Sequence, residues 1–273
     1  MPIRALLTSP LGFLIGLSLG ALGGGGSILA VPVLVYAAGQ DPKAATATSL
    51  LLVGSASLVG MFTHWRAGRV RVGTGIVFGL TGIGGSLAGS ALNRRLDPNL
   101  LLLGFAGLVV VAAWRMLTGC PTCTKVGEAR ELQTAATAGT ATLTRTRVDA
   151  GTVVTVLVAG SAVGFLTGLF GVGGGFVIVP ALALALKLRM PEAIGTSLLV
   201  IAINSAVALS TRLATTSIDW ATTLPFTIAA IGGVVTGGKV ADHLDPKRSL
   251  RWFAALLVAV AAYTAIRAGT ALT

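Results

Sequence analysis

Gly16-Leu17-Ser18-Leu19-Gly20, then Gly23-Gly24-Gly25-Gly26-Ser27, then Pro32, stand near the start of the chain. Gly164-Phe165-Leu166-Thr167-Gly168, Gly171-Val172-Gly173-Gly174-Gly175 and Pro180 repeat that arrangement 148 residues later. Glycine inside an apolar stretch is costly in a helix, because it loses the most backbone entropy. The same interruption at one offset in both halves points to two related units, each with a broken helix. The surroundings decide what medium those helices occupy. From Ala5 through Gln40 the sequence has no Asp, Glu, Lys or Arg. A helix there has no face suited to water.

Working outward, the whole chain is 54% hydrophobic and 11% charged, against about 25% charged for a soluble domain. Apolar runs near the 20 residues that cross a bilayer occur at roughly 44–63, 72–92, 99–117, 194–211, 221–241 and 250–268. The two glycine blocks, Ala5–Ala38 and Gly151–Leu186, exceed one crossing. The sequence predicts an all-α, polytopic membrane protein. The N-terminal apolar run resembles a secretory leader, but its recurrence at Val154–Pro180 assigns it to the fold.

The 148-residue offset reaches beyond the glycines. Thr48-Ser49-Leu50-Leu51 matches Thr196-Ser197-Leu198-Leu199, Gly84-Gly85 matches Gly232-Gly233, and Leu96-Asp97-Pro98 matches Leu244-Asp245-Pro246. Pro42 and Pro191 are one residue out of step. We expect two membrane repeats, 1–117 and 150–273, joined by a hydrophilic linker at 118–149. That linker is rich in Thr, Ala, Gly and Arg and reads as a flexible segment outside the bilayer.

The formal charge of +11 does not indicate nucleic-acid binding. The basic residues sit in short loops, as at Arg66, Arg69 and Arg71 or Lys247, Arg248 and Arg251, which is the pattern that fixes membrane orientation. If each glycine block is one span, the halves are parallel and the 20 Lys and Arg divide almost evenly between the two sides. If each block doubles back as two short segments, the halves are inverted. The loop at 66–71, the linker, Lys187, Arg189 and the stretch 239–251 then share the cytoplasmic side. The charge bias favours inverted repeats. Length agrees: a helix over 5–22 rises about 27 Å and one over 27–38 about 18 Å, against a core of roughly 30 Å.

A helix that begins after a glycine turn presents free N–H groups and a partial positive charge, which suits an anion. Two such starts, near Ser27 and Phe176, with Thr48, Ser49, Thr196, Ser197 and Asn204 as neighbouring donors, make a pocket for a small oxyanion. The expected substrate-binding set is Gly24, Gly25, Gly26, Ser27, Thr48, Ser49, Gly173, Gly174, Gly175, Thr196, Ser197 and Asn204. Gly16, Gly20, Gly164 and Gly168 fit close helix packing instead. Membrane Ser and Thr also commonly bond their own helix. There is no P-loop ending and no dinucleotide fingerprint. Asp41, Asp97, Glu192, Asp219, Asp242 and Asp245 fall at predicted helix ends, with His64 and His243 in basic loops, which disfavours a buried proton relay. Arg115 and Arg212 fall at helix ends, suited to snorkelling. Cys120 and Cys123 form a C-x-x-C in the linker; with no second ligand pair nearby, no metal site and no cofactor is expected.

Gly23–Pro32 and Gly171–Pro180, followed by Ala-Thr-Ala-Thr-Ser-Leu at 45–50 and Ile-Gly-Thr-Ser-Leu at 194–198, resemble the paired signature of the TauE/SafE sulfite-exporter family. The resemblance covers the chain outside the linker. It implies a multi-pass permease of the bacterial inner membrane that handles sulfite, organosulfonates or related anions. It marks Gly25, Gly26, Ser27, Pro32, Thr48, Ser49, Gly173, Gly174, Gly175, Pro180, Thr196 and Ser197. The resulting expectation is a secondary transporter, not an enzyme, exporting a small sulfur-containing anion by alternating access. The alternatives are a passive anion channel and a redox or assembly factor using the Cys pair. The expected partners are that small anion and the lipid bilayer; a homodimer is an assembly the sequence permits.

Overall fold

In the computed structural model, the residues described are 2–36, 38–93, 95, 96, 104, 107, 108, 110, 111, 114, 150–170, 175–186, 188–213, 219–243, 255, 258 and 259. They form helices and turns throughout. Helix α1 spans Pro2–Leu22, a 3-10 turn covers Gly24–Gly26, and α2 spans Ser27–Tyr36. Then come α3 (Pro42–Arg66) and α4 (Val72–Asn93). The second half gives α5 (Ala150–Phe170), α6 (Gly175–Leu184), α7 (Met190–Leu213) and α8 (Trp220–His243). The chain begins α3 at Pro42 and α7 at Met190, so the helices keep the 148-residue register although the two prolines do not. The expected linker with Cys120 and Cys123, and most of the predicted spans at 99–117 and 250–268, lie outside the described residues.

Among the described residues, four helices are long and apolar enough to cross a membrane: Ala44–Arg66, Val72–Leu92, Met190–Ser210 and Trp220–Val240. Two shorter apolar stretches, Ser9–Leu22 and Val153–Leu169, accompany them. The polarity of the bundle is that of a protein in lipid. Leu14, Leu58, Leu80, Leu87, Val158 and Ile228 are more than half exposed, while Thr48, Ser57, Thr196, Ser197, Ser205 and Thr223 are buried. Water would oppose that arrangement; hydrocarbon favours it, because polar groups must find partners inside the protein. Trp65, at the end of α3, and Trp220, at the start of α8, are exposed, as suits rings at the two membrane surfaces.

The packing is built from glycine faces, and it crosses between halves. Along α1, a Cβ on Gly12, Gly16 or Gly20 would meet the carbonyl of Phe226, Ala230 or Val234 on α8. Along α5, a Cβ on Gly160, Gly164 or Gly168 would meet the carbonyl of Phe78, Gly82 or Ser86 on α4. Each of these contacts maps onto its counterpart at 148 residues. In the reverse direction, Gly233 and Gly237 abut the carbonyls of Phe13 and Leu17, as Gly85 and Gly89 abut those of Ser161 and Phe165. Helix α1 therefore lies parallel to α8, and α5 parallel to α4, each pair joining the first helix of one repeat to a long helix of the other. Their backbones approach more closely than any side chain would allow. The packing expected for Gly16, Gly20, Gly164 and Gly168 is what the structure contains.

Between these two pairs runs the central pair, α3 and α7. Gly54 faces Ser205, Gly60 faces Leu198, and Gly195 faces His64. One number rises as the other falls, so α3 and α7 are antiparallel. Helix α8 runs parallel to α3, through Thr48 with Thr223, Gly60 with Val234, and Gly238 near Thr63. Since α1 and α3 both point along α8, the ten-residue α2 between them returns in the opposite direction, about 15 Å at 1.5 Å per residue. His64 differs from its expected place in a basic loop. It lies in the last turn of α3 and is 4% exposed, because α3 continues to Arg66 and packs that turn on Gly195 of α7.

Candidate functional site

The first break starts at Gly23, whose φ of +73° lies in the left-handed region that a side chain disfavours. It turns the chain out of α1 into the turn at Gly24–Gly26. Ser27 then opens α2: both its amide and its Oγ donate to the Gly24 carbonyl, the latter at 2.7 Å. A Cβ at Gly26 would lie 2.7 Å from the Leu19 amide nitrogen, so the start of α2 rests directly on α1.

The second break comes to the same place. A Cβ at Gly24 would run into the Gly175 carbonyl, and one at Gly175 would lie 2.8 Å from the Gly24 oxygen. Gly175 is the first residue of α6. The two short helices therefore begin beside one another, in backbone contact, near the middle of the bundle. Gly173 and Gly174 lie outside the described residues. Gly25 lies in the turn between Gly24 and Gly26.

The hydroxyl residues divide. Ser197 reaches the break: a Cβ on Gly23 would be 2.9 Å from its Oγ. Its hydroxyl donates to Ile194 O at 2.8 Å, which leaves oxygen lone pairs but no spare proton. Ser49 likewise donates to Thr46 O at 2.9 Å. Thr48 and Thr196 are not gathered at the break. Because α3 and α7 are antiparallel, they lie toward opposite ends of the central pair, Thr48 bonded to α8 and Thr196 to the residue that precedes α4. Thr223 Oγ1 donates to Asp219 O at 2.7 Å, so Thr48 is the donor in the 3.3 Å contact with Thr223. Thr196 Oγ1 accepts the Arg71 amide at 3.1 Å.

Asn204 lies on α7 next to Ser205, at the crossing with Gly54. Its Oδ1 is buried and has no hydrogen-bond partner among the described residues, as is also true of Ser57 Oγ on α3 and Thr227 Oγ1 on α8. Buried acceptors left unpaired in an apolar medium are costly. Asn204, Ser57 and Thr227 thus place unused polar capacity inside the bundle. No group of three or more His, Cys, Asp or Glu able to hold a metal occurs among the described residues.

Two features escaped the sequence reading. Thr223 has Gly75 as its repeat counterpart, so comparison of the halves gave no sign of it. Glu192 looked like an ordinary helix-end carboxylate. In the structure it is 7% exposed and ion-paired to Arg71 at 3.1 Å and Arg189 at 2.6 Å. Arg189, three residues earlier, was a legible partner; Arg71, across the fold, was not.

Comparison with known proteins adds the family. The model for "Sulfite exporter TauE/SafE" matches residues 9–264. A "Probable membrane transporter protein" of Xylella fastidiosa (strain 9a5c) is 32% identical over 276 residues, covering 100% of this chain and 99% of its own. The protein YdhB of Bacillus subtilis (strain 168), also named a probable membrane transporter, is 26% identical over 242 residues, 88% of this chain and 91% of its own. A Methanocaldococcus jannaschii relative of the same description is 30% identical over 116 residues, 40% of this chain and 43% of its own. No solved structure matches significantly. With apolar spanning helices, doubled glycine breaks and a match along nearly its whole length, this multi-pass membrane transporter belongs to the sulfite exporter TauE/SafE family.

Proposed function

We propose that this protein exports a small sulfur oxyanion or organosulfonate by alternating access, and that the substrate sits where α2 and α6 begin. The observation that carries this reading is the backbone contact between Gly24 and Gly175. It brings two helix N-termini to one place inside an apolar bundle. Amides at a helix start lack partners within the helix, and the aligned peptide dipoles add partial positive charge. An oxyanion with several acceptor oxygens suits that pair of ends without a buried Lys or Arg. Discontinuous helices at matched places in two halves are the usual make-up of a transporter site.

Within this reading Gly24, Gly25, Gly26 and Ser27 form one side of the site, and Gly173, Gly174 and Gly175 the other. Ser197 contacts the first side, and Ser49 is its repeat counterpart. Thr48 and Thr196 act at the two ends of the path. Asn204 supplies an acceptor for a protonated substrate or for a water that travels with it. The halves act as inverted repeats, 1–117 and 150–273, rocking about the antiparallel pair α3 and α7. The antiparallel course of those matched helices supports the inversion, as does the common end shared by Arg71 and Arg189.

The test is sulfite efflux from proteoliposomes, with sulfate, sulfoacetate and a carboxylate as competitors. Efflux should be inhibited by the sulfur anions and lost in Gly24→Val and Gly175→Val, with the protein still inserted. Equal competition by the carboxylate would overturn the substrate class. Efflux surviving both substitutions would overturn the site.

A further inference from the structure

The two ends of the central pair differ in chemistry although the repeat makes them equivalent. At one end, the start of α7 meets the loop between α3 and α4. The Glu192 carboxylate takes Arg71 Nε on one oxygen at 3.1 Å, and Arg189 Nε and Nη2 on the other at 3.2 and 2.6 Å. One turn deeper, Thr196 holds the Arg71 amide. Arg71 therefore ties the start of α4 to α7 twice, once through its backbone and once through its side chain. At the other end, the 148-residue register puts Ala44 where Glu192 stands and Asp219 where Arg71 stands. No ion pair across that interface is possible with Ala44. Across the described residues there, the Thr48 and Thr223 hydroxyls meet at 3.3 Å.

We infer that Glu192, with Arg71 and Arg189, is a charged gate that holds this end of the transporter closed. The inference rests on the reading that substrate reaches the glycine breaks. The geometry supplies the mechanism. Ser197 lies five residues beyond Glu192 on α7, about 7.5 Å along the helix, and touches the first break. In this reading, substrate passing from this end to the break parts the α3–α4 loop from the start of α7. That motion separates Arg71 from a carboxylate whose side chain is only 10% exposed. Arg189 stays on the other carboxylate oxygen, but stripping one of two guanidiniums from a largely buried carboxylate still costs more than parting two exposed charges. The side chains of Arg71 and Arg189 are 50% and 42% exposed. An arriving anion can therefore compete with Glu192 for them, which makes the gate responsive to substrate charge.

The test needs no substrate. In a background with Cys120 and Cys123 replaced by Ser, Ser197→Cys reports access to the break through its rate of reaction with a membrane-impermeant thiosulfonate. Right-side-out and inside-out vesicles apply the reagent from each face. Glu192→Gln and Arg71→Gln should each raise the rate about tenfold or more from the face carrying residues 66–71, with less than about a twofold change from the other. Should Glu192→Gln fail to accumulate in the membrane, the half-exposed Arg71→Gln carries the test alone. Reversing all three charges together should restore slow labelling. Rates unchanged in the variants that accumulate, or raised equally from both faces, overturn the gate. Because labelling is independent of transport, an unaltered labelling rate with intact sulfite efflux refutes the gate alone. A gated response without sulfite selectivity refutes only the substrate reading.

Discussion

The two long side interfaces, α1 with α8 and α5 with α4, agree residue for residue; the two ends of the central pair do not. Gly16 against Ala230 and Gly164 against Gly82 are the same contact in two copies. Arg71 with Glu192 at one end has Asp219 and Ala44 at the equivalent places, and Thr48 with Thr223 at the other end has Thr196 and Gly75. The difference shows which constraints a duplicated fold can relax. A glycine pressed on a carbonyl has no substitute, because any Cβ collides with backbone that cannot move aside. A side-chain contact at a helix end has many substitutes, so one end can specialise while the scaffold stays symmetric.

The comparison breaks most decisively at the centre. Gly24→Val should eliminate sulfite efflux, because its side chain would occupy the space of the Gly175 backbone; efflux and membrane insertion measured on one preparation check this. Next come the side interfaces. Gly16→Ile and Gly164→Ile should destabilise by similar amounts, roughly 3 kcal/mol, read as matching losses in thermal unfolding midpoint in detergent. Unequal losses would show that the two interfaces are alike in geometry only.

A smaller effect is expected at the hydroxyl end. Thr48→Val should cost about 1 kcal/mol and raise access from that end only slightly, since the tie it removes is a single long contact. The same thiosulfonate assay at the break reads it. The smallest effect belongs to Gly84, where a Cβ meets nothing within 4 Å. Gly84→Ala should leave efflux unchanged and stabilise α4 by about 0.5–1 kcal/mol. A loss of stability there would place a lipid or partner contact on that face.

Much of this was legible beforehand, for definite reasons. Charge-free apolar runs marked the four long spanning helices to within a few residues, because hydrocarbon excludes charge whatever the tertiary arrangement. The glycine block announced a break at 23–26 because four successive glycines oppose a continuous helix. The halves were legible because α3, α4, α7 and α8 keep one register. The polar residues were less legible. Thr48, Ser49, Thr196 and Ser197 share a motif, but they sit on antiparallel helices, so the motif occurs twice at separated places. Only Ser197 is seen against the described break. His64 looked like a loop residue because nothing nearby in sequence reveals that Gly195 covers it.

The sequence by itself determined the medium, the helical class, the duplication and the places where helices must break, since each follows from local composition or backbone propensity. Only the tertiary structure decided that α1 packs on α8 and α5 on α4, that Gly24 meets Gly175, and that Arg71 meets Glu192. Those contacts join residues 76 to 220 positions apart. No local preference encodes such distances. They are selected by which glycine faces can approach which backbones, and that is settled only when the whole bundle is packed.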